Sequence, residues 1–362
     1  MPFAPRFLAT AIGSLPHESA AAAVDIVLAN LPEAPIWPQL PRRALGEQME
    51  IQYCQGMPRA VVDALRAKLT FDTGGDYSED LAAFYEIYLA AMDPEEGDGD
   101  CSALAMDAGH AAGLHELLAR LEAGKRSYPL LKVQTTGPVS FALTATDQDK
   151  RAIYYNDAFL DMIVKALAMK CRWQIRTFAP YAERVICFVD EPILSAFGSS
   201  TYVSVTRDDV VARIGEVVEA VHAEGALAGV HCCGNTEWSI LIDAGADIVN
   251  FDAFCYGETV LMYAEAIRPF LDRGGCLAFG LVPTSAMVRQ QTAEGLAGLY
   301  EDLSGALAAK GLDKGRLAEQ TIVTPACGTG SLDPADAERV FGLNLEVSRL
   351  LRARYGFAGV GL

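Results

Sequence analysis

What this 362-residue chain lacks first is positive charge: 29 Lys and Arg stand against 47 Asp and Glu, a formal net charge of −18. A surface that acidic repels phosphate backbones and anionic lipid heads, which argues against nucleic acid or a membrane surface as partner. No run of 18 apolar residues occurs either, because groups such as Asp243 and Asp247 interrupt every candidate, so no transmembrane span is expected. Met1 to Ser14 carries no secretory pattern. Cysteine is sparse and odd in number, nine in all, which does not suit a disulfide framework. Reduced thiols in a cytoplasmic protein are the expectation. Low-complexity tracts and fixed-period repeats are absent too. What is there is core material, since 51% of the residues are hydrophobic.

Short apolar, β-branched runs recur at Leu8–Ile12, Pro35–Leu40, Leu130–Thr135, Arg184–Asp190, Ala226–Cys232, Asp247–Asp252, Cys276–Leu281 and Gln320–Thr324. Each has the length of a strand covered on both faces. Helical patterns lie between them. Thr206 is placed to cap a helix carrying Val210, Ile214, Val217 and Val221 that closes at Gly225. Thr292 opens another that closes at Gly311, and Asp333-Pro334 starts a last one running to about Tyr355. Eight strands alternating with helices predict a single (β/α)8 TIM barrel spanning 1–362, in preference to a doubly wound open sheet with fewer strands. The connection at about 41–129 reads as a helical insertion after the second strand, with helices at Ala60–Leu69, Asp80–Met92 and Ala103–Ala123. The acidic loop Asp93–Asp100 lacks the spacing of a calcium loop and reads as a solvated turn.

Barrel strands deliver their C-terminal residues to one site. Those ends hold His231, Cys233, Asp252 and Cys327, a zinc-like donor set drawn from the fifth, sixth and eighth strands. His231 and Cys233 are two apart, so both project to one side, while Cys232 points into the core. Coincidence stands beside this reading, because buried free Cys is common. Cys54, Cys101, Cys171, Cys187, Cys255 and Cys276 show no such convergence and are expected to serve packing. Cys327-Gly328-Thr329-Gly330 reads as a simple turn in preference to an anion-binding loop.

Gly13-Ser14-Leu15-Pro16, Thr136-Gly137-Pro138, Asp190-Glu191-Pro192, His231-Cys232-Cys233-Gly234-Asn235-Thr236 and Pro325-Ala326-Cys327-Gly328 occur in that order over nearly the full length. As an ordered set they resemble the uroporphyrinogen decarboxylase and methionine synthase superfamily of barrels. The branches in question are the catalytic half of cobalamin-independent methionine synthase and the methylcobamide:thiol methyltransferases. The resemblance implies a zinc held by His231, Cys233 and Cys327, with an acidic ligand at Asp252, where methionine synthases carry a longer Glu. It implies methyl transfer to a thiol, homocysteine giving methionine. The physical logic is that a free thiol of pKa about 8.5 is mostly protonated at pH 7, and coordination deprotonates it. By the same resemblance Ile12, Gly13 and Ser14 hold the substrate carboxylate through their backbone. Asp190 takes the ammonium, with Glu47 or Glu50 as a second carboxylate, and Glu191 has a structural role.

The sequence also departs from that pattern. Folate-type methionine synthases carry a proton-donating His after the seventh strand, where this chain reads Gly280-Leu281-Val282-Pro283-Thr284. The second, N-terminal barrel that helps folate-type enzymes hold the polyglutamyl folate is not expected in these 362 residues. Methyl-corrinoid is therefore the expected donor ahead of methyl-tetrahydrofolate, and a separate corrinoid protein is an expected partner. No Asp-x-His-x-x-Gly cobalamin pattern occurs in the chain itself. The alternatives are a non-catalytic zinc-bearing barrel that docks a corrinoid protein, and a metal-free lyase like uroporphyrinogen decarboxylase.

Overall fold

The computed structural model describes residues 3–92, 99–199, 202 and 204–359. Ten strands are described: β1 Leu8–Ala9, β2 Ala60–Asp63, β3 Lys68–Phe71, β4 Leu131–Thr136, β5 Thr146–Asp147, β6 Val185–Asp190, β7 Leu227–Cys232, β8 Ile248–Phe251, β9 Cys276–Val282 and β10 Thr321–Pro325. Seven of them form one curled, parallel sheet in the order β1-β10-β9-β8-β7-β6-β4. Its strands from β4 onward fall on the predicted apolar runs to within a residue or two, and their side chains are buried on both faces.

The second predicted strand differs. Pro35–Leu40 makes only isolated parallel bridges, Ile36 to Lys132 of β4 and Gln39 to Ser14. Pro35, Pro38 and Pro41 have no N–H to give a ladder, so the segment touches both edges of the sheet without becoming a strand. A sheet of eight regular strands is thus not what forms.

Thirteen α-helices alternate with the strands among the described residues: α1 Ala20–Asn30, α2 Met49–Tyr53, α3 Ser78–Met92, α4 Ala112–Gly124, α5 Pro138–Thr144, α6 Asp157–Phe178, α7 Arg207–Ala223, α8 Trp238–Asp243, α9 Ala253–Val260, α10 Ala264–Asp272, α11 Ala293–Ala309, α12 Lys314–Glu319 and α13 Pro334–Arg354. The predicted caps hold. Thr206 accepts from Asp209 N, Thr292 accepts from Gly295 N, and Pro334 occupies the first turn of α13. Gly225 and Gly311 stop their helices at φ +69° and +92°. No described helix is long and apolar enough to cross a membrane.

The insertion is not wholly helical. Ala60–Leu69, expected as a helix, lies in the antiparallel hairpin β2–β3, which joins β5 in a separate three-stranded sheet. Asp63 decides this locally by accepting from the amides of Leu65 and Arg66, and Ala67 turns the chain at φ +50°. The expected helix at Ala103–Ala123 starts only at Ala112. Of the acidic loop, 93–98 lie outside the described residues; Asp100 caps the next turn by accepting from Ser102 N.

Candidate metal and substrate site

The C-terminal ends of the sheet strands open into a cavity of about 330 Å³ lined by Ile12, Ser14, Glu47, Thr136, Asp190, His231, Cys233 and Cys327. Seven of the nine sequence-predicted site residues therefore meet in one place. Gly13 and Asp252 sit beside it rather than on its wall. His231 ends β7, Cys233 follows it, and Cys327 comes just beyond β10. Parallel pairing aligns these ends, because register carries every strand's last residues to the same edge. One ligand atom from each of the three lies within 4.8 Å of the other two. Sulfurs across a tetrahedral zinc are about 3.8 Å apart, a spacing that falls inside that bound.

His231 is prepared for this role by a residue that sequence reasoning missed. Asn250, on β8, donates its Nδ2 to Ala278 O and Thr324 Oγ1, both at 2.9 Å, which fixes the amide orientation. Its Oδ1 then accepts from His231 Nδ1 at 2.5 Å. With Nδ1 protonated, the free lone pair belongs to Nε2, which is buried without a hydrogen-bond partner. An orphaned, buried imine nitrogen between two thiols is the chemistry of a metal ligand. The only sequence signal was an amide inside the apolar run Ile248–Phe251. Cys233 supports the same reading: the Cys327 thiol and the His231 ring hold its thiol well below the ordinary range, against burial. Cys232 is fully buried, as expected.

Asp252 lies next along the sheet edge and accepts from Cys255 N at 2.8 Å, which makes it the N-cap of α9. Cys255 itself is exposed, a correction to its expected place in the packing; Cys54, Cys101, Cys171, Cys187 and Cys276 are buried.

Beside the 327–330 turn, all three carbonyls of the Ile12–Ser14 run are engaged. Ile12 O accepts from Lys132 Nζ at 2.5 Å, Gly13 O from Gln39 N at 3.0 Å, and Ser14 O from Thr329 N and Oγ1 at 2.8 Å. Among the described residues nothing accepts from the Gly13 or Ser14 amides. The 327–330 turn closes onto this run: a Cβ on Gly328 would sit 2.1 Å from Ser14 Oγ, so a larger residue there would make the Ser14 hydroxyl move.

Asp190 is 7% exposed, and its Oδ1 has no partner. Burial pushes its carboxyl up to about 6, with His231 and Lys132 pulling the other way. Lys132, which the sequence reading passed over, is fully buried beneath the site with its ammonium 4.5 Å from the centre of the Phe188 ring. Glu47 accepts from Leu40 N at 3.0 Å and Arg43 Nη1 at 2.8 Å; burial raises its pKa, opposed chiefly by Arg43. Glu191 accepts from the Val139 and Ser140 amides and from Ser140 Oγ, so it caps α5, the structural role expected of it. Glu50 does not line the cavity.

Fold and site together define a parallel α/β protein whose cavity sits at the carboxyl ends of its strands. No family model matches the chain, and no curated protein matches it. Among solved structures the fold is similar to that of a methyltransferase from Methanosarcina mazei, with a TM-score of 0.57 and 12% identity over 97% of this chain and 94% of that one. A B12-independent methionine synthase from Shewanella sp. W3-18-1, in complex with selenomethionine, aligns over 65% of this chain and 66% of its own, at 17% identity and a TM-score of 0.44.

Proposed function

We propose that the chain is a zinc-dependent methyltransferase acting on a small amino-acid thiol, homocysteine being the first to test. The observation that carries this reading is the convergence of a His231 ring nitrogen with the Cys233 and Cys327 sulfurs, all within 4.8 Å on a cavity wall, while His231 Nε2 is buried without a hydrogen-bond partner. The fold shared with a Methanosarcina methyltransferase is consistent with it. In this reading the sheet is a (β/α)8 barrel closed through 35–40.

His231, Cys233 and Cys327 would hold the zinc, and the substrate thiol would take the open place, because Asp252 already caps α9. When bound, the metal supplies deprotonation of that thiol. The chain's own residues do the rest. The free Gly13 and Ser14 amides suit a carboxylate, and the unpartnered Oδ1 of Asp190 suits an ammonium. These two anchors orient the sulfur toward the thiol ligands. No acid follows β9 at Val282-Pro283-Thr284 to protonate a folate leaving group, which favours a methyl-corrinoid donor brought by a separate protein.

Metal analysis of chelator-free protein should give about one zinc per chain. Cys327→Ser should lower that content and abolish methylation of homocysteine, assayed in parallel with methylcobalamin and methyl-tetrahydrofolate. A metal-free wild type, or undiminished methyl transfer by Cys327→Ser, would remove the reading.

A further inference from the structure

A second polar cleft, of about 220 Å³, lies where α6 and α7 begin, and its walls include Arg151, Tyr154, Asp157, Asp209 and Arg213. Several arginines of this acidic chain pair with carboxylates, as Arg172 does with Glu224 and Arg289 with Asp336. Arg151 and Arg213 do not: no described residue forms an ion pair with either. Arg151 rests its guanidinium on the Tyr155 ring at 5.6 Å. Arg213 Nε is buried without a hydrogen-bond partner.

Tyr154 adds an independent sign. Its side chain is 6% exposed, it lines the cleft, and its hydroxyl is buried with nothing to bond to. A buried phenol and a buried guanidinium Nε, both without a hydrogen-bond partner beside one cleft, each cost stability unless a ligand answers them. Both can donate, so one acceptor group would answer them together. The field in the cleft agrees, because the positive N-terminal ends of two helices, 22 and 17 residues long, meet there. Two acids also stand on the walls: Asp209 accepts from Thr206 Oγ1 at the start of α7, and Asp157 lies exposed in the first turn of α6.

We propose that this cleft binds a small oxyanion-bearing ligand, a phosphate or a carboxylate, with Arg151, Arg213 and Tyr154 as its donors. The proposal is independent of methyl transfer. The size of the cleft suits a group of phosphate or short dicarboxylate dimensions.

Calorimetric titration of the full chain at low ionic strength tests it, with inorganic phosphate in one arm and glutarate in the other. The expected result is saturable binding of at least one anion, the tighter one naming the ligand class. Arg213→Gln should weaken it about tenfold, the worth of one charge-assisted hydrogen bond. Arg151→Gln, at an exposed position that does not threaten folding, should weaken it in the same direction. Asp157→Asn should tighten binding, a gain that a merely damaged cleft would not produce. Absence of saturable binding in both arms overturns the proposal, as does an affinity unchanged by both arginine substitutions.

Discussion

His231 can serve as a ligand through Nε2 in only one tautomer, and Asn250 selects that tautomer. The amide has no freedom to flip, because its Nδ2 faces two acceptors, Ala278 O and Thr324 Oγ1. Asn250→Ala should therefore leave the three ligands in place while loosening the ring and its protonation. Groups of this kind are worth about 10–100-fold in metal affinity. Competition for zinc against a chromophoric chelator measures the loss; an affinity equal to wild type would show that Asn250 does not position the ring. At this scale the sequence was legible where spacing forces a direction, as in His231 and Cys233 two apart on an extended end. Asn250 and Lys132 were not, since a polar residue in an apolar strand announces that it is satisfied but not by whom.

At the scale of elements, the parallel strands were readable because burial on both faces demands unbroken apolar, β-branched runs. Two segments escaped that logic. In Pro35–Leu40 composition promised a strand, but the prolines took away the donors a ladder needs. In Ala60–Leu69 apolar residues happen to recur at helical spacing, and the turn at Asp63–Ala67 prevails through its side chain and a positive φ. Helix-to-helix ties were invisible beforehand, and one carries a prediction. Glu224, just past α7, joins Arg172 and Arg176 of α6 at 2.5 and 2.8 Å, with its side chain 11% exposed. Burial acts to raise its pKa, yet the two guanidinium groups hold it below its ordinary 4.5. A carboxylate with a depressed folded pKa stabilises the fold above its unfolded pKa, and that contribution is lost as pH falls through the folded value. Glu224→Gln should thus cost about 2 kcal/mol near neutral pH, below the loss expected for a fully buried pair. The gap in melting temperature between wild type and variant should close as pH drops below about 4.5. A gap constant from pH 7 to pH 3 would mean that the bridge contributes no charge-dependent stability.

Across the whole molecule the chain ends are tied into one structure. β1 pairs with β10, and α13 returns to the N-terminal run, where Ser348 Oγ donates to Phe7 O at 2.6 Å and Asn344 Nδ2 to Thr10 O at 3.0 Å. The insertion is bound in as well. Lys170 of α6 donates to Gln55 O at 2.7 Å and Leu104 O at 2.8 Å, and α4 buries Leu114, Leu117 and Leu121 where it packs on α1. Trp37 Nε1 reaches Gln174 Oε1 of α6 at 2.8 Å from the irregular segment between the sheet edges. With ties running through both the insertion and the sheet, neither has a boundary at which to unfold alone. One urea transition is the expected outcome, with tryptophan fluorescence and far-ultraviolet circular dichroism superimposing. Native-state hydrogen exchange sharpens the test: the innermost amides of α4 should open with the same free energy as those of β7. If α4 exchanges at a distinctly lower free energy, residues 41–129 form a separate cooperative unit, and the chain is not the single domain its strand order predicts.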